Sequence, residues 1–194
     1  MTPFEDLLAL LRVPESEVDV AEAALRSARL DRPELDPAPS LARIDALAER
    51  VLPTLRDVTD ATHRALALCR FLHEGEGFRG VPEDAYYDYE NSWLDRVLER
   101  RTGIPITLAV LHLAVGRRAG ILLHGVNFPG HFLVRVLGEG DSRLVDPWTG
   151  MLTTEQECEA RLRILHGDDA TLRPEEHLRE AGTSAIVARM INNL

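Results

Sequence analysis

Hydrophobic residues recur at helical spacing along the first part of the chain. Val20, Ala24, Leu25 and Ala28 share one face of "VAEAALRSARL", and Leu41, Ile44, Leu47, Ala48 and Val51 share one face of a later stretch. Each pattern predicts a helix with one side against a core. Start signals agree with the periodicity. Thr2-Pro3-Phe4-Glu5 combines a capping threonine, a proline at the first helical position and a glutamate three residues past the cap, and Asp19 with Glu22 repeats the motif. "DRPELDPAPS" interrupts the pattern with three prolines, and "DATHRALALCRFLHEG" resumes it as far as Gly75.

From Glu74 to Glu90 the pattern gives way to Gly, Pro, acid and tyrosine, which predicts a long ordered loop or a boundary between subregions. Asn91 reads as the N-cap of "SWLDRVLERR", whose stripe is Trp93, Leu94, Val97 and Leu98, and Gly103 as the left-handed residue that closes it. Pro105 opens the next helix. In "ITLAVLHLAV" only Thr107 and His112 are polar, so apolar surface surrounds the axis and the helix belongs at the centre of the domain, ending at Gly120. The period then shortens to that of strands in "ILLHGVNF", "HFLVRVL" and "SRLVDP", the last two joined by the turn "GEGD". A central helix against an antiparallel sheet is an α+β fold.

Helices return from "TTEQECEARLRILHG" to "SAIVARMINNL". The expected organisation is a helical segment over 1–80, a core over 81–152 and C-terminal helices over 153–194. The last helix stops in mid-pattern, so the natural chain is expected to continue into further helical repeats.

Composition narrows the chemistry. An apolar share of 45% with 28% charged residues is that of a soluble globular protein, and no run reaches the roughly 20 apolar residues of a membrane span. The N-terminus lacks a secretory pattern, so a cytoplasmic protein without membrane contact is expected. A net charge of −10 with no basic stripe argues against nucleic acid. Every basic side chain is Arg, which excludes Lys-based covalent chemistry. Cys69 and Cys158 lack CxxC partners, which argues against disulfides and Cys-based zinc sites.

The hairpin places two polar residues together. If "GEGD" reverses the chain, Leu137 faces Ser142, Leu133 faces Asp146, and His131 becomes a diagonal neighbour of Asp146 on the same sheet face. An Asp-His hydrogen bond would fix the imidazole tautomer, the orienting step of a nucleophile-base-acid arrangement. The plainer alternative has His131 capping a strand end and Asp146 serving its "DP" turn. A metal site built from His112, His124, His131 and Asp146 lacks any recognised ligand spacing. No metal or cofactor is expected; His112 then reads as a core histidine bonded to a carbonyl. Asn127 and Gly130 either shape the "NFPG" turn or, for Asn127, donate to a ligand near the imidazole.

Taken together, "YYDYENSWLDRVLERRTGIPITLAVLHLAVGRRAGILLHGVNFPGHFLVRV" and "LVDPWTG" closely resemble the SirB1 family, proteins with a transglutaminase-like core. The resemblance implies a papain-like transglutaminase fold, with a nucleophilic cysteine at the start of the central helix and His and Asp on adjacent strands. Aligned on that pattern, Gly103 takes the glycine of "GxC", Pro105 falls on the cysteine, and His131 and Asp146 take the other two catalytic positions. Thr107 is the nearest hydroxyl, but two helical residues turn it about 200° from the nucleophile's direction.

Three readings follow. The first is a pseudoenzyme: a binding or regulatory module for a protein or peptide, with Asn91, Trp93, Gly103, Pro105, Asn127 and Gly130 as cleft candidates. The second is a hydrolase or acyltransferase using His131 and Asp146 with Thr107 or a substrate-borne nucleophile. The third is a helical interaction scaffold.

Overall fold

The computed structural model describes residues 2–138 and 142–193. Four helices come first: α1 (Pro3–Leu11), α2 (Val20–Ala28), α3 (Ala38–Val51) and α4 (Ala61–Arg70), the last running into a π-helical turn over Phe71–Gly75. Caps act where the sequence announces them. Thr2 and Glu5 form a reciprocal capping box, and Asp19 accepts from the Ala21 and Glu22 N–H groups. Next come β1 (Arg79–Gly80), α5 (Leu94–Arg100), β2 (Thr102–Gly103) and α6 (Pro105–Arg118). The strands β3 (Leu123–Val126), β4 (Leu133–Leu137), β5 (Ser142–Asp146) and β6 (Met151–Thr153) follow, then α7 (Glu155–His166), α8 (Pro174–His177), β7 (Glu180–Ala181) and α9 (Thr183–Ile191).

The main sheet is antiparallel throughout, in the order β6-β5-β4-β3-β7. Its two faces bury different layers. Phe132, Val134, Val136 and Val145 join the large core around α6, which also holds residues of α2, α3, α4 and α5. Val126, Leu133 and Leu144 point the other way, onto Cys158 and Leu162 of α7. The fold is α+β, with α6 enclosed on all sides as its unbroken apolar surface requires: eleven of its residues are buried. It ends in a Schellman motif, with Gly120 at φ 67° donating to the Arg117 carbonyl and Ile121 to that of Gly116. Among the described residues no helix is long and apolar enough to cross a membrane.

Two expectations about α5 are corrected. Its N-cap is Trp93, not Asn91, because an earlier acceptor starts the turn: Asp88 caps a 3-10 turn over Tyr89–Ser92. Asn91 instead donates its amide to the Ala85 carbonyl at 2.7 Å, tying down the tyrosine-rich loop. The left-handed residue after α5 is Arg101, at φ 59°, because only one residue separates α5 from β2. Gly103 lies in β2 and is required by close approach: a Cβ there would stand 2.7 Å from Val97 Cγ2. The hairpin register is the expected one, Leu137 opposite Ser142 and Val134 opposite Val145, although Glu139–Asp141 of the "GEGD" turn lie outside the described residues.

Candidate functional site

The ends of β4 and β5 bring His131 and Asp146 together. Phe128-Pro129-Gly130-His131 forms a turn closed by the His131 N–H on the Phe128 carbonyl at 3.1 Å, with Gly130 at φ 66° in the position of a type II turn that needs it. That turn delivers His131 to the head of β4. Continuing the register by one pair sets Leu133 opposite Asp146, which makes His131 the diagonal neighbour. His131 Nε2 is 2.8 Å from Asp146 Oδ1.

Asp146 is only 2% exposed, yet its carboxylate is saturated. Oδ1 also accepts the Trp148 N–H at 2.9 Å, an Asx-type contact across the "DPW" turn, and Oδ2 accepts from Arg161 Nη2 at 2.6 Å. Burial alone would raise the carboxyl pKa. The bonds and charges of His131, and then of Arg161, outweigh burial and hold it below the ordinary carboxylate value. An ionised carboxylate only accepts, so the His131 Nε2 facing it carries a proton, and in the neutral ring Nδ1 is then the unprotonated nitrogen.

Arg161 was not singled out in the sequence. It lies fifteen residues beyond Asp146, and only the return of α7 across the sheet brings it back. Thr154 and Glu157 cap that helix reciprocally, while Cys158 and Leu162 seat it. Leu165, one turn past Arg161, packs where a Cβ on Gly130 would lie. The contacts of the dyad thus run to α7 and to the turn after β5.

The other candidates are dispersed. Pro105 occupies the first turn of α6 and is buried. Thr107 is fully buried, and among the described residues its hydroxyl has no hydrogen-bond partner, not even the carbonyl one turn back. No hydrogen bond among the described residues joins it to His131. Trp93 is covered by the Arg32 guanidinium, 3.8 Å above its ring, and Arg32 itself pairs with Asp95. The oxygen of Asn127 accepts from Arg189 of α9. His112 Nδ1 donates to the Leu108 carbonyl at 2.8 Å, and burial pushes the ring pKa down to about 4. His124 pairs with Glu180. Among the described residues no group of three or more His, Cys, Asp or Glu side chains is arranged to hold a metal. Both thiols are buried and raised by that burial, Cys69 to about 12.

The residue whose N–H meets Asp146 also carries an aromatic ring. The Trp148 ring lies 5.6 Å from that of Tyr86, which meets exposed Tyr87 edge-on at 5.4 Å. A cavity of about 770 Å³ elsewhere, walled by Val18, Leu113, Arg117, Leu123 and Ile186, contains neither His131 nor Asp146. The convergent polar groups lie at the sheet end instead.

A central apolar helix, an antiparallel sheet and a His-Asp pair where the ends of β4 and β5 meet fit a transglutaminase-like domain. A sequence model of the transglutaminase-like superfamily matches residues 38–192, and the chain belongs to that superfamily. Within it, a UPF0162 protein from Xylella fastidiosa (strain 9a5c) is 34% identical over 191 residues, covering 96% of this chain and 67% of the relative. A UPF0162 protein from Pseudomonas aeruginosa is 35% identical over 175 residues, or 89% of this chain and 62% of that one. F-box only protein 21 of Homo sapiens is 35% identical over 115 residues, 48% of this chain and 18% of its own length. The chain spans about two thirds of the length of these UPF0162 relatives. No solved structure matches it.

Proposed function

We propose that this domain is a non-catalytic binding module that recognises a protein or peptide segment around His131 and Asp146 and regulates it without turnover. The observation that carries this reading is the makeup of the first turn of α6. Pro105 has no N–H and no nucleophilic atom, and the Thr107 hydroxyl is enclosed. Both thiols stay protonated because burial raises them, so neither supplies the thiolate that cysteine chemistry needs. Binding is supported by a His131 side chain that remains 15% exposed, and by the paired Tyr86 and Trp148 rings, whose faces suit peptide side chains.

The test is titration with glutamine-containing peptides, following the His131 ring resonances and ammonia release together. The expected result is ring perturbation without ammonia. Ammonia release that disappears in His131→Ala would overturn the reading, as would a ring that no peptide perturbs.

A second reading, a hydrolase or acyltransferase, is favoured by one observation. The bond to Asp146 leaves Nδ1 as the acceptor, which is what a general base for a substrate-borne nucleophile requires. Ammonia release in the same titration would favour it.

A further inference from the structure

Asp146 meets His131 through one oxygen and Arg161 through the other. Oδ1 has two donors, the His131 ring at 2.8 Å and the Trp148 N–H at 2.9 Å, the latter fixed by the turn that follows β5. Oδ2 has Arg161 Nη2 at 2.6 Å, and no other hydrogen bond to Oδ2 is found among the described residues. A carboxylate oxygen this deeply buried, stripped of its charged donor, would have to take up a proton or turn toward another donor. Either change alters what His131 Nε2 faces.

We propose that Arg161 is a positioning residue that sets the His131 tautomer: by holding Oδ2 it keeps Oδ1 as an ionised acceptor, so that Nε2 carries the proton and Nδ1 does not. The charge-assisted bond from a guanidinium is short and directional, which suits it to fixing the carboxylate plane. Its origin on α7 matters. The reciprocal Thr154 and Glu157 cap sets the start of that helix, and Cys158 and Leu162 seat it on Leu133 and Leu144. The docking of α7 on the sheet is thereby coupled to the imidazole, through one guanidinium and one carboxylate. This inference rests on the view that His131 and Asp146 form the working pair, but its test requires no ligand.

The experiment is a long-range proton-nitrogen correlation on histidine ring-labelled protein. The wild-type His131 ring shows the single signature of the Nε2-protonated tautomer. Arg161→Gln replaces it with a mixture of tautomers, and Arg161→Lys, which can still place a charged donor on Oδ2, restores it. Arg161→Met keeps an unbranched aliphatic stem and removes the guanidinium, so it decides the matter if the Gln variant fails to fold. A wild-type tautomer signature in a folded Gln or Met variant overturns the proposal and reduces Arg161 to a staple between α7 and the sheet. Failure of the peptide titration leaves this result unaffected, so the two ideas fall separately.

Discussion

The two faces of the sheet treat buried polar groups in opposite ways. Toward α6, the Thr107 hydroxyl and His112 Nε2 are buried and have no partner among the described residues. Toward α7, Asp146 is almost as deeply buried, and three donors from three separate segments converge on it. An unpaired buried polar atom costs about 1–3 kcal/mol, whereas a satisfied one can be close to neutral. The contrast teaches that a polar residue on a central helix does not by itself mark a site. Convergence of partners from distant parts of the chain does, and here it marks the end of β5 rather than the start of α6.

The largest expected effect comes from emptying the saturated side. Asp146→Ala leaves His131, Arg161 and the Trp148 N–H without their acceptor, and is expected to cost about 3–5 kcal/mol in urea unfolding. Asp146 also has its own pH window. Its folded pKa is depressed, so its contribution is complete above the ordinary carboxylate value of 3.8 and is lost as pH falls through the lower folded value.

The α6 side titrates higher. Burial pushes the His112 ring from 6.5 to about 4, so the unfolded chain binds the proton more tightly. Stability from this group is therefore complete above pH 6.5 and falls as pH drops toward 4, by up to about 3 kcal/mol. His112→Met should remove this decline between pH 6.5 and 4, read from unfolding at pH 7 and pH 4.5. An unchanged decline would mean that His112 is not its source.

Smaller effects sharpen the contrast. Thr154→Ala removes the cap that starts α7 and should cost about 1 kcal/mol, measurable as a shift in the urea midpoint. Thr107→Val removes an unpaired hydroxyl for a methyl of similar size and should be neutral or stabilising by up to about 1 kcal/mol. A clear destabilisation would reveal a partner for that hydroxyl.

Much of the site's frame was legible in the sequence, because the rules that set it are local. Reading "GEGD" as a turn predicts the pairing of β4 with β5, and that pairing sets Asp146 beside His131 with no knowledge of the rest of the fold. Pro105 and Gly120 marked the ends of α6 for equally local reasons, a missing donor and a left-handed turn. Other features depend on what comes from far away or on near-equivalent neighbours. Arg161 reaches Asp146 only because α7 crosses the sheet, and no spacing rule links them. Asn91 and Gly103 each had a competitor nearby, Asp88 and Arg101, that took the capping and left-handed roles. The strands β6 and β7, three and two residues long, are too short to show a period.

On the proposed reading, the first turn of α6 offers no nucleophile to the His131–Asp146 pair. The most direct test is intact-mass measurement after incubation with a glutamine-containing peptide and rapid acid quenching, which preserves an acyl-protein intermediate. The account predicts the unmodified mass at every time point. A covalent peptide adduct that forms on the wild-type protein and is absent from His131→Ala would contradict it.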